Sequence, residues 1–187
     1  MPTMVLRTMA LRAGPVAPVA ELTHRERLQP SLLDRLTDNK PEKQTETGDE
    51  RVMTMAQLRE VVIRDLSWLL NTSNLAAYQD LSDYDQVSTS VLNYGVQDLT
   101  GVSSSSLDVK HLQEVVRQAI QNFEPRILKD SVTVRASVAE EMSHNALVFS
   151  IDATLWAQPA PLRLYLRTKV DLEDGSVAVS EAAGQAR

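Results

Sequence analysis

An α+β fold is predicted, with N-terminal helices packed on a C-terminal antiparallel β-meander of three to four strands, because the hydrophobic period changes at Pro125. Before that residue, apolar side chains recur at i, i+3 and i+4; after it they alternate every second position. Helices come first and strands follow one another, an order that suits an antiparallel sheet covered on one face better than a parallel one.

The elements follow in chain order. Thr23 and Glu26 have capping-box spacing, and Pro30 closes the short helix they would open. Ser31 and Asp34 repeat that spacing ahead of an apolar edge formed by Leu32, Leu33 and Leu36. Residues 39–50 are charged and polar, with Pro41 and Gly48, and read as a mobile loop. Between Thr54 and Leu70, the residues Met55, Leu58, Val61, Val62, Leu66, Leu69 and Leu70 form the stripe of a core helix, with Trp68 covering its flank. Asp83 and Gln86 are placed to cap a further helix through Val87, Val91 and Tyr94, stopped by Gly95.

Gly101 and Ser103 to Ser106 read as a loop, with Ser105 and Asp108 at cap spacing for the next helix. Val109, Leu112, Val116, Ala119, Ile120 and Phe123 continue its stripe. Three strands are then expected: Val132 to Val138, Leu147 to Leu155, and Leu162 to Leu172 after a turn holding Pro159 and Pro161. Asp174 and Gly175 make a hairpin turn into Val177 and Val179. The domain reading is a flexible arm over residues 1–20, one domain over 21–180 and a frayed tail over 181–187.

Composition narrows the function. A chain of 187 residues is long enough to bury about 70% of its unfolded surface without staples. It has no cysteine, so disulfides, thiolate metal sites and cysteine nucleophiles are excluded. Net charge is −6 and no dense Lys/Arg block is present, which argues against nucleic acid as a partner. The apolar run Ala146 to Ala157 falls short of the ~20 residues of a membrane span and contains Asp152, so a soluble chain without membrane insertion is expected. The arm from Met1 to Ala20 has Arg7 and Arg12 but lacks the continuous apolar core of a secretory signal.

Chemistry-bearing patterns are sparse. His24, His111 and His144 are far apart in sequence, and no metal is expected. Asp80, Asp83 and Asp85 lack the glycine and distal glutamate of a calcium loop and read as caps or solvated carboxylates. Asn71, Thr72 and Ser73 match a glycosylation acceptor, meaningful only in a glycosylating compartment. No phosphate-cradling glycine loop exists, and no cofactor is expected. Glu124, Asp130, Glu140, Glu141 and Asp152 are available to a glycosidase, but no spacing singles out a pair.

The sharpest local feature is FEPRIL, Phe123 to Leu128. Pro125 must stop the helix, which leaves Glu124 at the pole where partial negative charge disfavours it, by a few tenths up to about 1 kcal/mol. Arg126 is placed to offset that charge. Taken alone, the triplet is a surface ion pair worth roughly 0–1 kcal/mol beside a helix stop.

Four segments in order, SLLDRL, VIRDLSWLLNT, SVLNYGVQDLTG and FEPRIL, change that balance. Their set and spacing, from about Leu22 to about Val179, resemble the TssE family, the lysozyme-like baseplate wedge subunits of bacterial type VI secretion systems, and the related wedge proteins of contractile phage tails. In that family Glu-Pro-Arg is the hallmark, matched here by Glu124, Pro125 and Arg126. The resemblance implies a structural, non-enzymatic wedge subunit, cytoplasmic, in a baseplate docked at the inner membrane complex. Its implied partners are the other wedge subunits TssF and TssG, with sheath and spike proteins nearby. The alternatives are a peptidoglycan-cleaving hydrolase and a general assembly adaptor. Glu124, Pro125 and Arg126 are then expected to bind a partner at a rigid corner, and alanine at Glu124 or Arg126 to leave the isolated fold near wild-type stability.

Overall fold

The computed structural model describes residues 30–37, 41–42, 53–101, 108–138, 146–157 and 160–182. The arm over residues 1–20, the Thr23–Glu26 cap, most of the loop over 39–50, the Ser103 to Ser106 loop, His24, His144, Glu140, Glu141 and residues 183–187 lie outside them.

Two long helices come from the two apolar stripes. Helix α1 is short, Leu32–Leu36, and α2 spans Met55–Leu70. Thr54 opens α2 with a full capping box: its hydroxyl accepts from Gln57 N, while Gln57 accepts from Thr54 N. Leu58, Val62, Leu66, Leu69 and Leu70 form its buried face. Helix α3 is the single turn Asp85–Ser88, and α4 runs Val109–Phe123 with Leu112, Val116, Ala119 and Ile120 buried.

The strands are β1 Thr133–Val138, β2 Ala146–Leu155, β3 Leu162–Asp171 and β4 Val177–Glu181. They pair antiparallel in the order β1-β2-β3-β4, a four-stranded meander. Leu147, Phe149, Ile151, Ala153 and Leu155 of β2, with Leu164, Leu166 and Val170 of β3, face the helices and join one core with both helical stripes. Helix α4 lies against β1 and α2 against β4. The hairpin between β3 and β4 turns at Gly175, whose φ is 76°, and Asp174 accepts from Ser176 N.

Three expectations change. The helix proposed from Asp83 to Tyr94 is instead α3 followed by a 3-10 turn, Val91–Asn93. Ser90 interrupts it by accepting from Leu92 N and donating to Val87 O, and Asn93 turns inward, accepting from Ala76 N and donating to Ser88 O. The cap of α4 is Asp108 itself, which accepts from the N–H groups of Lys110 and His111, so Asp108 is not the third residue of a helix begun at Ser105. The apolar edge of α1 is not buried: Leu32, Leu33 and Leu36 are 71%, 48% and 75% exposed, and Asp34 supplies the tie to α2.

No helix among the described residues is long and apolar enough to cross a membrane.

Candidate functional site

Pro125 stops α4 as its chemistry demands. Glu124 is the C-cap residue and its N–H still donates to Ile120 O, 2.9 Å, after which Ile127 N closes a turn onto Glu124 O, 3.1 Å. Pro125 and Arg126 are the two central residues of that turn, proline at the position its fixed φ favours. Beyond it the chain is pinned to the end of β2: Leu128 N donates to Thr154 O and Trp156 N donates to Arg126 O.

The electrostatic conflict at the helix pole is resolved by turning the carboxylate toward Arg126. Glu124 is only 3% exposed, so the surface-pair description does not hold. Its Oε1 accepts from Arg126 N, 3.1 Å, and Arg126 Nε, 2.7 Å, while Oε2 accepts from Nη2, 2.5 Å. A buried carboxylate held by three donors is internal structure, so Glu124→Ala is expected to destabilise the isolated fold rather than leave it near wild type.

The network continues well beyond the triplet. Arg126 Nη2 also donates to Asp65 Oδ2 on α2, 2.5 Å, and Arg64 Nε donates to Asp65 Oδ1, 2.9 Å. Arg64 Nη1 then donates to Asp34 Oδ1 on α1, 2.7 Å, and Asp34 accepts from the Ser31 hydroxyl. Arg64 Nη2 lies 2.7 Å from Asp65 Oδ1 as a charge contact without hydrogen-bond alignment. Charges alternate along the whole line, Asp34, Arg64, Asp65, Arg126 and Glu124. The guanidinium of Arg64 also stands over the Trp68 ring, 4.8 Å from its centroid.

The protonation states follow this alternation. Burial opposes the charge on Arg126, but Glu124 and Asp65 outweigh it and raise its pKa above the ordinary arginine value. Burial likewise works against Arg64 before Asp34 and Asp65 raise it, and against Asp34 before Ser31 and Arg64 hold it below the usual carboxylate range. Tyr94 is pushed up, first by burial and then by the negative charges of Asp65 and Glu124. Its ring meets Phe123 edge-on at 5.3 Å, which places the Val91 to Gly95 segment against the end of α4.

A cleft of about 520 Å³ opens beside the network, lined in part by Leu33, Trp68, Tyr94, Pro125 and Arg126. The Arg126 side chain remains 25% exposed there, and its Nη1 has no partner among the described residues. Trp68 is 49% exposed. The corner therefore offers a fixed guanidinium edge beside apolar surface.

Each of the four ordered segments contributes to this place: Asp34, Arg64 with Asp65, Tyr94, and Glu124 with Arg126. Sequence reasoning found the triplet and did not single out Arg64 and Asp65. The available signal was adjacent opposite charges directly beside the Val62–Leu66 core stripe, where a solvated pair is not required. The other candidate carboxylates do not converge here, since Asp130 sits in the exposed turn Lys129–Ser131 and Asp152 on the outer face of β2. Among the described residues, no group of three or more His, Cys, Asp or Glu is arranged to hold a metal ion. Asp80 accepts from Ser82 N, as a local turn carboxylate does.

Residues 56–160 match the family model described as baseplate wedge protein gp25. No curated protein and no solved structure matches the chain significantly.

Proposed function

Because the chain belongs to the baseplate wedge protein gp25 family, which includes TssE of type VI secretion, we propose that it is the TssE-type wedge subunit of a type VI secretion baseplate. A structural role in a phage tail-like baseplate, in contact with other baseplate subunits, comes with the family itself. The finer reading is that the chain binds TssF and TssG, in the cytoplasm at the inner membrane complex, and so supports sheath and tube assembly without catalysing a reaction.

The observation that carries this reading is Arg126 Nη1, which has no partner among the described residues and is held at the rim of the cleft by two carboxylates behind it. Glu124 is a positioning residue, Pro125 fixes the turn, and Arg126 is the group presented to the neighbour. A guanidinium fixed in advance loses little freedom on forking onto a partner carboxylate or onto exposed helix carbonyls. Leu33 and Trp68 supply the apolar surface that excludes water around such a contact. Glu124 is fully engaged by Arg126, which supports a structural role over acid–base chemistry.

The test is co-expression of the chain with TssF and TssG from the same cell, comparing wild type with Trp68→Glu and Arg126→Gln. Capture of both partners by wild type, and its loss in a Trp68→Glu protein that melts like wild type, is the expected result. Full capture by both variants overturns the role of the corner, and no capture by wild type overturns the partner assignment.

A further inference from the structure

The helices cover one face of the sheet, while the other face carries its own charge pattern. Arg135 of β1 and Arg163, Arg167 and Lys169 of β3 are exposed on that outer face. Its carboxylates are the half-buried Asp152, beside Arg163, and Asp171, which is turned into the hairpin to accept from Glu173 N. In a chain of net charge −6, this is a local excess of positive charge.

The register makes the patch regular. Arg135 pairs across to Ser150, Ser150 to Arg167 and Arg167 to Ser180, so the two arginines stand in one row, two strands or about 10 Å apart. Arg163 donates to the Tyr165 hydroxyl, 2.8 Å. The side chains of Arg135 and Arg167 have no hydrogen-bond or ion-pair partner among the described residues. Around them lies an open concavity of about 750 Å³ floored by Ser150 and Asp152 and bordered by Thr133, Arg163 and Tyr165.

Both arginines are exposed, and the strand pairing fixes their spacing before any partner arrives. We propose that this outer face docks an acidic segment of another protein, its carboxylates forking onto Arg135 and Arg167. Charge complementarity selects the occupant. A short acidic segment meets the patch alone, whereas a nucleic-acid duplex or an anionic bilayer extends beyond it and meets the acidic remainder of the molecule. The surface is distinct from the Arg126 corner and does not depend on which baseplate the chain serves.

The experiment is fluorescence anisotropy of a fluorescein-labelled peptide of eight glutamates spaced by glycines, at low ionic strength, with the full chain. Wild type binds in a salt-sensitive manner, Arg135→Glu/Arg167→Glu weakens binding about tenfold or more, and Lys110→Glu/Lys129→Glu, an equal change of net charge elsewhere, weakens it less than about threefold. No binding by wild type, or equal weakening by the two double variants, overturns the proposal. So does tighter binding to phosphatidylserine vesicles or to duplex DNA that is lost in the Arg135→Glu/Arg167→Glu protein.

Discussion

Replacing Glu124 by glutamine removes one negative charge while keeping the side chain's shape. In the native arrangement the carboxylate accepts from three donors of Arg126, and it is 3% exposed. The amide of glutamine keeps one acceptor oxygen for Arg126 N and Nε but sets its own NH₂ against Nη2, donor against donor. Hydrogen bonds to charged groups contribute about 1.5–3 kcal/mol each, and breaking a buried pair by removing one partner costs about 3–5 kcal/mol. Since Asp65 still holds the far side of Arg126, the lower part of that range applies, about 3 kcal/mol. For a chain of this size that is a fall in Tm of roughly 6–12 °C. Urea unfolding followed by tryptophan fluorescence measures it directly. A loss of about 1 kcal/mol or less is the signature of a solvated surface pair and refutes the buried network.

The other predictions concern the frame around the site. Gly95 has φ of 121°, and a Cβ there would lie 2.2 Å from Thr72 O, where Val96 N and Asn74 N tie the two segments together; Gly95→Ala is expected to destabilise by more than about 2 kcal/mol in the same urea assay. Asn71 ends α2 by donating to Ser67 O, and pairs with β4 by donating to Val177 O and accepting from Val177 N, so Asn71→Ala should cost about 1.5–3 kcal/mol and expose the Val177 amide to hydrogen exchange. Asp34 has a folded pKa below its unfolded one, so between those values the unfolded state binds more protons and stability rises with pH. Its contribution is complete above the unfolded value, about 4, and is lost as pH falls through the folded one; Asp34→Asn should flatten that acid limb of the urea midpoint.

The long helices and the meander were legible because burial imposes period. Leu58 to Leu70 and Leu112 to Ile120 repeat at helical spacing, β3 alternates over its ten residues, and β2 alternates from Phe149 to Leu155. The segment from Asp85 to Asn93 was not legible, since Val87, Val91 and Tyr94 fit a helix while Ser90 and Asn93 bind backbone groups and break it. The exposure of Leu32 and Leu36 has no sequence signal, because hydrophobic spacing states which residues share a face and not what covers that face.

At the site, the turn was legible from Pro125 alone, and the grouping was not. Arg64 reaches Asp34 across 30 positions and Arg126 reaches Asp65 across 61, separations that no local pattern encodes. Glu124 was read as half of a surface pair from the triplet alone, and as a partner-binding charge from the family resemblance. Its burial became intelligible only once Arg126 was seen to donate to both of its oxygens while bridging to Asp65. The capping box of Thr54 and Gln57, by contrast, was present in the sequence as a T-x-x-Q pattern and needed no tertiary information.

A structure of the chain within an assembled wedge puts the account at greatest risk. With the account correct, Arg126 Nη1 lies within hydrogen-bond distance of a carboxylate or backbone carbonyl of a neighbouring subunit, and that subunit fills the cleft against Trp68 and Leu33. A wedge in which water occupies the cleft and every neighbour binds elsewhere contradicts it.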